Sequence, residues 1–201
     1  KTPERLREVE GIGPQKAERI SRALEEQKEI RQVMVFLRGI GITPALAAKI
    51  YRQYGENTIR ILRDNPYHLA KEVYGIGFKT ADRIAGLLGR DDPTSPERVR
   101  AGILYLLHKS SEEGHVYALE DEFVKAASEE LEVEQEIIQR EIWRLRQEKE
   151  VFLEENCLYL AALYWSEYGV VERLLSLLQA SKDERAPLEA RDQKELQEKL
   201  S

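Results

Sequence analysis

Cysteine is nearly absent from this chain of 201 residues, where Cys157 stands alone. A single thiol excludes an intrachain disulfide framework and a thiolate metal cluster, and it fits the reducing cytoplasm. The three histidines, His68, His108 and His115, are too scattered along the chain to suggest a metal site. No Ser-His-Asp or Cys-His arrangement is present, so neither a catalytic residue nor a metal ligand is expected. Long apolar runs are missing as well: none approaches the roughly 20 residues that a spanning helix needs, and no signal peptide is visible. A membrane partner is therefore not expected. The glycine-rich phosphate loop of the Walker type is also lacking, so this chain is not expected to hydrolyse ATP or to hold a cofactor of its own. It opens Lys-Thr-Pro rather than with methionine, and is expected to be a piece of a longer protein.

What is present begins with charge. A net charge of −6 argues against a nucleic-acid partner until the chain is divided. Residues 1–90 carry 17 Lys and Arg against 11 Asp and Glu, a balance of +6, whereas residues 91–201 carry 14 against 26, a balance of −12. Such asymmetry suits one half that touches phosphate and another that touches protein.

Three short blocks in the basic half share a pattern. Gly11-Ile12-Gly13 is followed by Ala17 and Ile20, Gly39-Ile40-Gly41 by Ala47 and Ile50, and Gly75-Ile76-Gly77 by Ala81 and Ile84. In each, a helix stops at a glycine turn and a second helix starts, with a small residue and an apolar one three positions on. Aligned in this way, the middle hairpin is two residues longer than the others. Glycine suits positive φ or close approach of a ligand. The first amides of the following helix have no intrahelical partner and suit a phosphate.

The remaining elements follow from caps and periodicity. Thr2-Pro3 starts a short helix to Gly11; Pro14 starts another to about Gln27; Ile30, Val33, Met34 and Leu37 mark a third, ending at Gly39. Thr43-Pro44 opens a helix to Tyr54, a connector with Ile59 and Leu62 ends at Asn65-Pro66, and the last helix of the set ends near Gly89. Asp91 to Pro96 reads as a boundary. Beyond it come a helix with Val99, Ile103, Leu106 and Leu107, a short strand near Tyr117, and helices near 120–130 and 134–148. A hairpin of Val151–Leu153 with Leu158–Leu160 completes this region. Helix, strand, helix, helix, hairpin is the order of a winged helix. Its would-be recognition helix carries Glu134, Glu136 and Glu141, which disfavour phosphate, so a packing or docking module is the favoured reading. Trp143 and Trp165 are expected as core or interface aromatics. The fold class expected is mainly α: tandem hairpins over residues 1–93, a winged-helix-like α+β domain with a small β-hairpin over 94–162, and a helical connector with a charged linker over 163–201.

The glycine blocks resemble helix-hairpin-helix motifs, which hold DNA without reading its sequence. That resemblance implies phosphate contacts from Gly11, Gly13, Lys16 and Arg19; from Gly39, Gly41, Thr43 and Lys49; and from Gly75, Gly77, Lys79 and Arg83. The third block is also similar to the hairpin of base-excision DNA glycosylases, in which a lysine at the position of Lys79 attacks the sugar. Asp91 and Asp92 come too soon to supply the carboxylate which that chemistry needs, and Lys79 reads better as a phosphate contact. Taken in order, Gly39 to Gly55, Asn65-Pro66-Tyr67 with Leu69, the Gly75 hairpin, Arg98 to Leu104, and Glu113 to Tyr117 resemble the N-terminal accessory region of RecD/TraA-type superfamily 1 DNA helicases. This resemblance implies a bacterial, cytoplasmic protein of DNA recombination and repair that moves 5′ to 3′ on single-stranded DNA. ATP and Mg would belong to motor domains of the same parent chain. The implied partners are single-stranded or junction DNA, those motor domains, and a possible protein on the acidic half. The alternative is a protein-interaction scaffold whose hairpins are purely structural.

Overall fold

Helix caps and glycine stops divide the basic half. The computed structural model describes the backbone of residues 12–199 and the side chains through residue 180. The expected helix ending at Gly11, and Gly11 itself, lie outside the described residues. The first helix, α1 (Pro14–Gly39), is one unbroken rod of 26 residues, where two helices meeting near Gln27 were expected. Nothing between Leu24 and Ile30 ends it: the run Glu25-Glu26-Gln27-Lys28-Glu29 is made of good helix formers without glycine or proline.

Thr43 then caps α2 (Pro44–Tyr54), its hydroxyl oxygen accepting the Leu46 N–H at 3.4 Å, with Pro44 in the first turn. A single 3-10 turn, Gly55–Asn57, leads to α3 (Thr58–Asp64) and α4 (His68–Glu72). Gly77 precedes α5 (Phe78–Leu87), and positive φ at Gly89 accompanies the turn beyond it. Asp92 accepts hydrogen bonds from both the amide and the hydroxyl of Thr94, and Ser95 caps α6 (Pro96–Glu112). Then follow β1 (Tyr117–Leu119), α7 (Glu120–Leu131), α8 (Gln135–Gln147), β2 (Val151–Glu154), β3 (Cys157–Leu160) and α9 (Ala161–Lys199). α9 continues through Pro187, where a marginal helix or linker was expected; the Ala, Glu, Gln, Lys and Leu around it favour helix.

The fold is mainly helical, hairpin repeats followed by a winged-helix-like α+β region. Its three antiparallel strands run in the order β1-β3-β2, so the last strand lies in the centre. Tyr159 pairs with Tyr117 on one side and Phe152 on the other, which puts an aromatic row on one face. Leu158, between Ala118 and Leu153, points to the core on the other face.

Two apolar clusters share α5 as a wall. One gathers Leu37, Ile42, Ala47, Ile50, Leu62 and Leu69 with Ile84 of α5. The other gathers Phe78, Ala81 and Ala85 of α5 with Tyr67, Ile103, Leu131, Ile142 and Leu158. Phe78 stacks between Tyr67 and Tyr105, at ring-centroid distances of 6.1 and 5.6 Å. The hairpins are therefore packed onto the winged-helix-like region, and a chain cut at residue 93 would expose Phe78. The junction is also polar. Asp82 of α5 accepts from Arg98 at 2.9 Å and from the Tyr67 hydroxyl at 2.7 Å, while Arg98 donates to the carbonyls of Pro93 and Leu131.

Candidate nucleic-acid interface

The backbone sets the register of the hairpins. Gly41 and Gly75 both adopt the left-handed region, with φ of 71° and 90°, whereas Gly39 is the last residue of α1 and has no such requirement. Counting back from the helix starts, Gly77 immediately precedes Phe78, Thr43 immediately precedes Pro44, and Gly13 immediately precedes Pro14. The middle turn is thus Gly41-Ile42-Thr43, matching Gly75-Ile76-Gly77, and not Gly39-Ile40-Gly41. The middle hairpin is the same length as the third. Ile42 and Ile76 are both buried, each at the centre of its turn. The turns are closed by hydrogen bonds from the Gly41 and Ile42 amides to the carbonyls of Arg38 and Leu37, and from Ile76 to Val73.

In this register a cation falls six residues after the residue preceding each helix: Arg19, Lys49 and Arg83. The second and third of these are crossed. The Lys49 ammonium, on α2, donates to the Tyr74 carbonyl at 3.4 Å and would lie 3.5 Å from a Cβ added to Gly75. Arg83, on α5, would lie 3.4 Å from a Cβ added to Gly41. Each hairpin's second helix therefore sets its cation against the other hairpin's turn. Small Ala47 and Ala81, with Ile50 and Ile84 behind them, are buried and hold the two helices in place.

Lys79 is exposed on the first turn of α5, and among the described residues neither it nor Arg83 has an ion-pair partner. Gly77 has ordinary φ and nothing within 4 Å of an added Cβ, so glycine there leaves the amides of Phe78 and Lys79 open to approach. Thr43 spends its hydroxyl oxygen on the helix cap, so in the middle hairpin that group is first a structural one. Asp82, adjacent to Arg83, is turned into the Arg98 and Tyr67 network and does not oppose an anion at the turn. Burial, and then the bond to Asp82, raises the Tyr67 phenol above its ordinary pKa.

The first hairpin is not brought to this pair. Gly13, Lys16 and Arg19 lie toward the opposite end of α1, about 30–39 Å from Gly39 at 1.5 Å rise per residue. Gly13 has open space around it, and Lys16 and Arg19 are exposed.

Tyr74 escaped the sequence reading. It is 93% exposed, immediately before Gly75, with Lys49 5.5 Å from its ring centroid. The signal was available: the corresponding positions of the other hairpins hold Glu10 and Ile40.

Two expectations for the acidic half change. Glu141 does not face outward from α8; it is fully buried, accepting hydrogen bonds from Arg140 and Arg144 and lying 3.7 Å from Arg100. Trp143 and Trp165, expected as core or interface aromatics, are more than half exposed, which excludes the core alternative and leaves the interface one. The reason is helical phase: Ile138, Glu141, Ile142 and Leu145 take the inner face of α8, leaving Trp143 outside.

Residues 26–117 match the family model described as the ATP-dependent RecD2 DNA helicase HHH domain. The match begins within α1, takes in the second and third hairpins with their crossed cations, and runs on through α6 to β1. This match supports an N-terminal accessory region of RecD-type DNA helicases, with residues 26–117 similar to the helix-hairpin-helix domain of that family.

Proposed function

We propose that the second and third hairpins together grip DNA by its phosphates without reading base sequence. The observation that carries this reading is the crossing of Lys49 and Arg83. Two turns, each with the other hairpin's cation beside it, make a paired anion-binding surface in which phosphate contacts position the nucleic acid. Lys79 lies at the start of α5 and adds a third cation. The first hairpin, through Gly13, Lys16 and Arg19, would be a separate contact tens of ångströms along α1.

In the parent helicase this grip would hold single-stranded or junction DNA near motor domains that use ATP and Mg to move 5′ to 3′. The setting would be recombination and repair in a bacterial cytoplasm. Motor, polarity and setting rest on the family and on no side chain of this chain. No described helix is long and apolar enough to cross a membrane.

The test is the double variant Lys49→Ala/Arg83→Ala in the intact chain. Loss of two phosphate contacts flattens the dependence of log affinity on log salt by about 1.4–1.8. Both side chains are exposed, so the melting temperature should move little. A folded double variant that binds DNA with unchanged affinity and slope would return the hairpins to a structural role.

A second function of the acidic half, docking to protein, is favoured by a specific surface. Phe152 stacks on Tyr164 at 4.4 Å, and Trp165 and Tyr168 extend the cluster along α9. Val170, Val171, Leu174, Leu175, Leu177 and Leu178 are all more than half exposed. The motor domains of the same parent chain are the proposed occupant of this surface.

A further inference from the structure

We infer that Tyr74 is a base-stacking residue, which gives the paired hairpins a preference for DNA with an unpaired base beside the gripped phosphate. The inference rests on the phosphate-binding reading of the hairpins and adds to it the part of the nucleotide that is recognised.

Single exposed aromatic residues are ordinary on protein surfaces. Tyr74 differs in where it is held. It directly precedes Gly75, whose positive φ forms the third turn, so its Cα is fixed by the same backbone that presents the turn amides. Its neighbours Val73 and Ile76 are buried anchors, so the turn has little freedom to carry the ring away. Lys49 is bonded to the Tyr74 carbonyl at 3.4 Å and sits 5.5 Å from the ring centroid. A cation thus stands on one side of the ring, and at 93% exposure the ring is open to solvent.

An open aromatic face beside a phosphate-binding turn matches a nucleobase. Stacking on an aromatic side chain is tolerant of sequence, because every base has a π-face. Within an intact duplex those faces are occupied by neighbouring bases, and separating them is unfavourable. A single strand, or the first unpaired nucleotide of an overhang, offers the face without that cost. Ile40, the corresponding residue of the middle hairpin, is buried, so the two hairpins are inequivalent: both can hold phosphate, and the third alone of this pair presents a ring.

The experiment uses the intact chain and three oligonucleotide probes: a single strand, a duplex with a 5′ overhang, and a blunt duplex. The first two carry 2-aminopurine in the unpaired segment. Binding should quench its fluorescence. Tyr74→Ala should abolish the quenching and weaken binding to the single strand and the overhang by roughly 5- to 100-fold. Affinity for the blunt duplex and every salt slope should stay as in the parent, since no phosphate contact is lost. Tyr74→Phe should restore both quenching and affinity. So exposed a side chain makes misfolding an implausible source of the effect. The inference is overturned if Tyr74→Ala binds all three probes as the parent does, with quenching intact, while Lys49→Ala/Arg83→Ala still weakens them; the grip then stands without the stack. Salt-insensitive binding, unaffected by the double variant, removes the grip and the stack together.

Discussion

Gly39→Ala and Gly41→Ala should change stability in opposite directions. Gly41 has φ of 71°, where a side chain costs about 1–2 kcal/mol, and its new Cβ would meet Arg83 Nη1 at 3.4 Å. Gly39 ends α1 with nothing within 4 Å of an added Cβ, and exchanging glycine for alanine in a helix gains up to about 1 kcal/mol. At a helix end only part of that gain is expected, about 0.5 kcal/mol. For a chain of this size 1 kcal/mol moves the melting temperature by about 2–4 °C. Gly41→Ala should therefore melt about 2–8 °C below the parent and Gly39→Ala about 1–2 °C above it. Circular dichroism at 222 nm on the three proteins side by side reads the difference. If Gly39-Ile40-Gly41 were the turn, Gly39 would carry the positive φ and Gly39→Ala would be the damaging change. A larger loss in Gly39→Ala than in Gly41→Ala would refute the hairpin register, and with it the crossed cations.

Gly102 sits inside α6, yet alanine there should destabilise: its Cβ would fall 2.6 Å from a methyl of buried Leu131, and overpacking of about 1–3 kcal/mol outweighs the helix gain of at most about 1. Urea unfolding midpoints check it. The Tyr67 phenol is raised by burial and by Asp82 above the ordinary value of about 10. Its contribution to stability is complete below that ordinary value and is lost as pH rises through it toward the raised one. The stability difference between Tyr67→Phe and the parent, followed by melting temperature, should accordingly be flat at neutral pH and shift in favour of the variant as pH climbs past about 10. In the full parent helicase, Leu174→Glu/Leu178→Glu should leave DNA binding by the hairpins intact and uncouple DNA-stimulated ATP hydrolysis from unwinding; a folded variant that unwinds DNA like the parent would discard the docking surface.

Local events were legible in the sequence because neighbours along the chain decide them. Thr43-Pro44 and Ser95-Pro96 start helices by capping, Gly55 and Gly89 stop them, and the strands around Glu155-Asn156 pair through a tight turn. The Gly-Ile-Gly pattern also pointed to the hairpins. The middle register misled because two overlapping triplets, Gly39-Ile40-Gly41 and Gly41-Ile42-Thr43, both fit a glycine turn, and only the backbone φ separates them. Side-chain destinations belonged to the tertiary structure. Asp82 meets Arg98, Glu141 is buried among arginines, and Lys49 and Arg83 each reach the other hairpin's turn, contacts that local spacing does not determine. Helical spacing decides which residues share a face; which neighbour that face meets is settled by packing the apolar clusters on either side of α5. That packing alone left Lys49, Arg83 and Tyr74 gathered on one surface.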